Sequence, residues 1–210
     1  MKVFESKWTS AIAAAAFGVL VTCGSALAQA PAAVGKPEQT PFDDWQVRCF
    51  PVQSPSPCDM FQELLNQQRT QRILAISIAY VPSMDRYALQ ITVPLGMSLP
   101  KGLSIQTDSY TSPNLRYRRC DREGCYVELG VDKSLVEGIA KSSPDGKAKV
   151  NIVVDTGVTG AGKAFGLTFF LKGFAAAHDN MVSQARAKAK AVAAQPGAGA
   201  AAPAAPAAPQ

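Results

Sequence analysis

The sequence predicts an all-β protein, mainly an antiparallel sandwich or barrel-like fold, with one short helix and a C-terminal helix. Three observations lead to this fold class. Short segments of alternating or β-branched residues recur along the chain. Turn-forming residues separate these segments about every ten residues, as in sandwiches and barrels. Cys120 and Cys125 flank a tight turn inside the segment 115–129, which is typical of a disulfide-closed hairpin.

The start of the chain has the features of a secretory signal peptide. A basic beginning precedes an apolar run over residues 11–21, and Ala26-Leu-Ala28 offers a small-residue cleavage site. We therefore predict a signal peptide over residues 1–28, with cleavage after Ala30 as the second choice. The run is too short and too rich in alanine to be a membrane span.

Cys23 is an alternative processing point in this leader. It follows Leu20-Val-Thr22, which resembles a lipoprotein processing site, although Thr22 stands where glycine, alanine or serine is usual. Lipid attachment at Cys23 therefore remains an alternative to removal of the cysteine with the leader.

The remaining elements follow from local pattern. Residues 29–41, rich in alanine and proline, predict a flexible lead-in. The predicted strands are 44–49, 60–65, 73–81, 86–93, 103–107, the two arms of 115–129, 148–154 and 165–171.

Two helices complete the prediction. A short helix over 132–140 has Asp132 as its expected N-cap, and an alanine-rich helix covers 174–192. These elements divide the chain into a β domain over 42–180, a helix extension over 181–192 and a disordered Ala/Pro-rich tail over 193–210.

Four cysteines remain once the leader is removed: Cys49, Cys58, Cys120 and Cys125. An even number in an exported chain favours two disulfides. Three pairings are possible, and we favour Cys49–Cys58 with Cys120–Cys125 because each pair brackets a turn-like segment. Each such loop stabilises the fold by ~2–3 kcal/mol. The alternative is a four-cysteine zinc site, which the absence of a C-x2-C spacing disfavours.

Four arginines cluster on or beside the cysteine hairpin: Arg116, Arg118, Arg119 and Arg122. Alternation predicts Arg116 and Arg118 on one strand face, with Tyr117 and Arg119 on the other. The functional interpretation is a contact for an anionic partner, and the alternative is an edge strand protected by charge against aggregation. The formal net charge of +5 is mild, and no long basic run indicates a nucleic-acid partner.

No recognisable catalytic, cofactor-binding or metal-binding constellation is present. The segment Gly157–Lys163 matches G-x4-G-K, but Ala164 stands where Ser or Thr would hold magnesium, and a strand rather than a helix is predicted next. We therefore interpret it as a hairpin turn and expect no nucleotide. His178, the single histidine, is expected to be a surface or packing residue. The acidic pairs Asp43-Asp44 and Asp121/Glu123 are interpreted as turn and cap residues rather than glycosidase carboxylates.

Several stretches, taken together, resemble the invasion-associated locus B family of exported bacterial proteins. They are Trp45–Cys49, Pro57–Gln62, Val93–Gly96 with Leu99–Leu103, Tyr117-x-x-Cys120 with Gly124-Cys125, and Leu171–Phe174. No single tetrapeptide is specific, but their order and spacing fit over about residues 42–180. The long tail after Val192 and the arginine-rich segment 116–119 depart from the family pattern.

The resemblance implies a periplasmic or outer-membrane-associated β protein, linked in pathogenic members to invasion of host cells. It supplies no catalytic residue, and the cysteines correspond as a structural framework only. We expect an exported, non-enzymatic envelope protein that binds an envelope or host-surface protein, or an anionic glycan or lipid. The alternatives are a periplasmic accessory or stress factor that assists envelope assembly, and an enzyme of unrecognised type.

Overall fold

Ten β-strands and two α-helices form from these patterns in residues 35–157 and 162–194, the part of the chain that the computed structural model describes. The strands are β1 (Glu38–Phe42), β2 (Trp45–Cys49), β3 (Cys58–Leu65), β4 (Arg72–Val81), β5 (Arg86–Val93), β6 (Leu103–Gln106), β7 (Arg119–Asp121), β8 (Gly124–Val131), β9 (Lys147–Asp155) and β10 (Gly162–Phe170). The helices are α1 (Lys133–Ala140) and α2 (Phe174–Ala193), and Leu99–Lys101 forms a 3-10 turn.

The strands form two antiparallel sheets. The seven-stranded sheet has the order β1-β2-β3-β4-β5-β8-β7, and the three-stranded sheet has the order β10-β9-β6. Most neighbours in the larger sheet are successive hairpins, so local turn chemistry sets most of its order. The predicted fold class, a mainly antiparallel β-sandwich with a short helix and a C-terminal helix, is confirmed.

The core is built from the inward-facing residues of both sheets and of both helices. Trp45 lies at its centre, and its ring meets the rings of Phe169 and Phe174 edge-on at centroid distances of 6.4 and 5.2 Å. The indole N–H donates to the carbonyl oxygen of Phe170 at 3.0 Å, so the tryptophan joins β2 to β10 by both packing and hydrogen bonding.

Gln62 is a buried polar residue that also connects the two sheets. Its amide nitrogen donates to the carbonyl oxygens of Asp44 and Phe170 at 3.1 and 3.0 Å. Its side-chain oxygen accepts the backbone N–H of Phe170 at 2.9 Å. Because a buried amide without partners would destabilise the fold, the two bonds to Phe170 fix β10 against β3, and the bond to Asp44 ties in the β1–β2 turn.

Strand β1 is absent from the sequence prediction, which assigned its residues 38–41 to the flexible lead-in. It pairs antiparallel with β2 over its whole length, from Glu38 opposite Cys49 to Phe42 opposite Trp45. Its residues are mostly exposed and include Pro41, so they lack the apolar alternation by which a strand is predicted from sequence. The described domain therefore begins before residue 42, and only the part of the lead-in before Gly35 lies outside the described residues.

Helix α2 differs from the prediction at its boundary. It is one continuous helix of 20 residues, and Met181 and Ala185 are buried in the core. The predicted boundary at residue 180 falls inside this helix, and burial continues beyond it to Ala185. The predicted signal peptide, Cys23 and residues 195–210 of the predicted tail lie outside the described residues.

Helix α1 begins after Asp132, as predicted, but this residue does not cap it through its side chain. Its carboxylate makes no capping hydrogen bond and instead lies 2.8 Å from the Arg86 guanidinium. The ion pair connects the start of α1 to β5.

Candidate binding surface

Each of the two predicted disulfides closes a pair of neighbouring strands. Cys49 lies directly opposite Cys58 in β2 and β3, and Cys120 lies directly opposite Cys125 in β7 and β8. Their sulfurs are bonded in these pairs, with Cα–Cα distances of 4.1 and 4.0 Å. These are the pairings that the sequence favoured. Each disulfide fixes a register, so the residues next to it along the two strands also become partners.

Arg119 is the arginine that this register places against an aromatic ring. It lies opposite Tyr126, and its guanidinium carbon is 3.7 Å from the centre of that ring. It donates to Glu128 at 3.0 Å and to Asp121 at 2.5 Å. The hydrogen bond with Glu128, followed by that with Asp121, raises the pKa of Arg119, and the bond from Arg119 lowers the pKa of Glu128. Arg119 thus holds the hairpin together and is largely engaged within the protein.

The other three arginines point outward. Arg118 has one long ion pair, 3.9 Å from Glu128, and 72% of its side chain is exposed. Arg116 and Arg122 are exposed, and neither makes an ion pair with any residue that the structure describes. The predicted four-arginine contact therefore separates into one structural guanidinium and three that face solvent.

The predicted division of strand faces was wrong for Tyr117 and Arg119. Regular pairing in β7 starts only at Arg119, so alternation does not extend back through Tyr117. Tyr117 packs against the core, whereas Arg119 lies on the outer face over Tyr126. Burial raises the pKa of Tyr117 to about 12.

A trough on the outer face of the seven-stranded sheet borders the hairpin. Its floor consists of the cross-strand neighbours Ala79, Ala88 and Gly130. Because these small residues leave space between larger neighbours, the trough has a volume of about 450 Å³. Arg118 lines it on the hairpin side, and Asp59 lines it on the opposite side.

Asp59, on the far wall of the trough, belongs to an ion pair that the sequence analysis missed. Arg48 lies opposite Asp59 and donates two hydrogen bonds to its carboxylate, at 3.0 and 2.5 Å. The Arg48 guanidinium also covers the Phe61 ring at 3.6 Å, and Ser77 donates to Asp59 at 2.6 Å. Since Cys49 and Cys58 are opposite each other, antiparallel geometry requires Arg48 to face Asp59, so the disulfide pairing was the available signal.

The remaining sequence candidates have structural partners. His178 Nε2 is 2.7 Å from the Tyr87 hydroxyl, and its Nδ1 is 3.0 Å from Asp179. Asp43 occupies the β1–β2 turn and pairs with Lys172 at 3.2 Å. Asp121 accepts the backbone N–H of Glu123 at 2.8 Å within the β7–β8 turn.

The glycine-rich segment leads into a strand. Gly162 and Lys163 begin β10, so no helix N-terminus faces this loop, and residues 158–161 lie outside the described part. Across residues 35–157 and 162–194, no group of three or more His, Cys, Asp or Glu side chains is arranged to hold a metal ion. Within the same ranges, no helix is both long enough and apolar enough to cross a membrane.

The fold and this surface define a disulfide-stapled β-sandwich with a charged edge hairpin. The sequence profile of the invasion associated locus B (IalB) protein family matches residues 45–182. The chain belongs to the invasion-associated locus B family.

Two curated relatives and one solved structure are similar to the chain. Invasion protein B homologues of Brucella abortus strain 2308 and of Brucella abortus biovar 1 strain 9-941 are each 29% identical over 143 residues. Each match covers 68% of this chain and 78% of the relative. The crystal structure of invasion associated protein B from Bartonella henselae superposes with a TM-score of 0.59 at 20% identity, covering 71% of this chain and 99% of that one. This structural likeness supports the fold.

Proposed function

We propose that this protein is an exported, non-enzymatic component of the cell envelope that binds an anionic surface through its β7–β8 hairpin. The Brucella and Bartonella relatives are named for invasion, a role exercised at surfaces. The anionic partner is an envelope or host glycan or lipid headgroup. The observation that carries the proposal is the outward exposure of Arg116, Arg118 and Arg122 beside an internally engaged Arg119.

The hairpin carries Arg122 in its turn and fixes the backbone of Arg118, whose N–H donates to the Tyr126 carbonyl at 2.7 Å. The Cys120–Cys125 disulfide closes β7 onto β8, and Arg119 on Tyr126 fixes the outer face. A preorganised cationic edge loses less conformational entropy on binding than a flexible basic tail. Arginine also matches the planar oxygens of phosphate, sulfate and carboxylate groups through paired hydrogen bonds.

The size of the effect follows from the number of free arginines. Each basic side chain near an anionic membrane contributes about 1 kcal/mol to binding. Replacing Arg116, Arg118 and Arg122 together by Gln should therefore remove about 3 kcal/mol, or about a hundredfold in affinity. The measurement is sedimentation of the oxidised protein with phosphatidylglycerol-containing vesicles, repeated with a sulfated polysaccharide to separate lipid from glycan.

A matched control removes the same charge elsewhere. Lys101, Lys141 and Lys149 are exposed and lie outside the hairpin, so their replacement by Gln lowers the net charge equally. We expect this variant to bind nearly as well as the unchanged protein. Equal losses in the two triple variants would show that net charge, rather than the hairpin, attracts the anionic surface, and would contradict the proposal.

Export is the second part of the proposal, and it rests on the leader-like residues 1–28. Intact mass of the protein from its native envelope tests it. A mass that begins at Gln29 and gains four alkyl groups only after reduction supports periplasmic or outer-membrane placement with two disulfides. A mass that retains the leader contradicts export. A mass that begins at a lipid-modified Cys23 would show that the exported protein is tethered to a membrane.

An accessory role in envelope assembly is the second candidate function. Phe165 and Phe170 are exposed on β10, which lies at one edge of the three-stranded sheet. An open edge with apolar side chains suits a transient contact with an extended client segment. Crosslinking from position 165 in the envelope would favour this role if it captures unfolded outer-membrane proteins.

A further inference from the structure

A second concave surface lies at the end of α2, and the proposed anionic contact does not use it. The loop between Cys49 and Cys58 supplies one wall with Phe50, Val52 and three prolines, and Pro82 extends that wall from the β4–β5 turn. Ala189 and Val192 of α2 form the other wall. The groove has a volume of about 540 Å³, within the range of about 300–1,000 Å³ that ligand clefts occupy.

The walls of this groove are apolar and rigid. Among the described residues that line it, Lys188 is the only charged one. The loop is closed by the Cys49–Cys58 disulfide and by a backbone bond from Phe50 N–H to the Pro57 carbonyl at 2.9 Å. Proline-rich segments in a polyproline II conformation dock in grooves lined by aromatic side chains, because such segments are already extended and lose little entropy, and Phe50 supplies such a ring here.

The sequence that follows α2 has the composition of such a ligand. Residues 195–210 contain no charged side chain, and Pro203, Pro206 and Pro209 recur at every third position. A polyproline II helix has three residues per turn, so this spacing places the prolines along one face. No comparable repeat occurs in the lead-in 29–34, which has the single proline Pro31.

We propose that the groove binds the chain's own C-terminal segment, residues 200–209, in a polyproline II conformation. The described chain reaches the groove at Val192, eight positions before the segment begins. Residues 195–199, Gln-Pro-Gly-Ala-Gly, contain the turn-forming pair Pro196-Gly197 and span up to about 17 Å when extended. This is enough to reverse the chain direction at the end of the helix.

Attachment to the same chain makes a weak contact sufficient. A short linker gives an effective concentration of about 1 mM. A segment whose free peptide has a Kd of about 0.1 mM would then occupy the groove in about 90% of molecules. The proposal is independent of the anionic contact, because the groove contains none of the hairpin arginines.

Paramagnetic broadening in the full-length oxidised protein tests the proposal. A nitroxide is attached through Ala207→Cys, and the amide signals of Val52, Ser83 and Ala189 are followed. We expect these signals to lose most of their intensity, while the amides of the three-stranded sheet, which contributes no lining residue, keep theirs. A second sample mixes spin-labelled protein that carries no isotope with isotope-labelled protein that carries no nitroxide. In this mixture the broadening should disappear, because the contact lies within one molecule.

Two variants separate docking from proximity. Val52→Asp places a charge in the groove at a residue that is 41% exposed, so the fold is retained and the broadening should disappear. Leu95→Asp, at another exposed apolar residue, should leave it unchanged. Unbroadened groove amides in the labelled protein would overturn the proposal and leave the groove to another ligand. Broadening that persists in the mixed sample would also overturn it, in favour of contact between copies.

Discussion

Replacing Gly173 by alanine should destabilise the domain more than the same change at a glycine that has open space around it. Gly173 precedes α2 with a φ of 81°, which L-residues adopt at a cost of about 1–2 kcal/mol. A Cβ at this position would lie 2.1 Å from the carbonyl oxygen of Phe42, about 1.2 Å closer than an ordinary carbon–oxygen contact. Relieving that overlap adds about 2 kcal/mol, as overpacking does in cores.

The expected total is about 3–4 kcal/mol, which corresponds to a fall in Tm of about 10 °C for a protein of this size. The assay is urea unfolding together with hydrogen exchange. Because Phe42 ends β1 and lies opposite Trp45, exchange should accelerate first in Glu38–Phe42.

Gly96 is the matched control. Its φ of 88° is equally left-handed, but a Cβ there meets nothing within 4 Å. Gly96→Ala should therefore show only the backbone term, about 1–2 kcal/mol. If both variants lose the same stability, the close approach of β1 to the start of α2 is absent, and the explanation of why β1 belongs to the domain fails.

Three further predictions concern side chains. Asp59→Asn should destabilise by about 2 kcal/mol in urea unfolding, because Asp59 is buried and the change weakens its charge-assisted hydrogen bonds to Arg48, and retention of full stability would contradict this. Mild reductant should open Cys120–Cys125 before Cys49–Cys58, because Cys120 is exposed while Cys49 and Cys58 are buried, and alkylation followed by peptide mass analysis reads the order. Tyr117→Phe should preserve or raise stability at pH 7, since its buried hydroxyl has no hydrogen-bond partner among the described residues. Because the pKa of Tyr117 is raised to about 12, the unfolded state releases this proton first, so its contribution to stability falls from about pH 10 and levels off above about pH 12. An unaltered pH dependence in the Phe variant would exclude this linkage.

The cross-strand partners of residues next to the cysteines could have been predicted from the sequence. Once Cys49 is joined to Cys58 and Cys120 to Cys125, antiparallel register places Arg48 against Asp59 and Arg119 against Tyr126. The sequence analysis used the disulfides to define the hairpins but did not extend the register by one residue. The position of Arg119 over Tyr126 and the ion pair beside the trough follow from that step.

The two concave surfaces were not predictable in this way. The trough needs β4, β5 and β8 to lie side by side, and the groove needs the 50–57 loop to meet the end of α2. In both cases the lining residues are far apart in sequence, and no local sequence pattern predicts that they lie close together in space. The same applies to β1, whose exposed residues are ordered by pairing with β2 and by the start of α2.

The sequence by itself determined the strand-forming segments other than β1, the two helices and the disulfide pairs, because alternation, turn residues and loop closure act over a few residues. Only the tertiary structure decided which arginines are free. Arg119 is engaged because Glu128 lies within 3.0 Å of it, while Arg116 and Arg122 have no carboxylate in reach among the described residues. A charge on a strand becomes structural or available according to what the neighbouring strands place beside it, and that placement is set by the packing of the whole sheet.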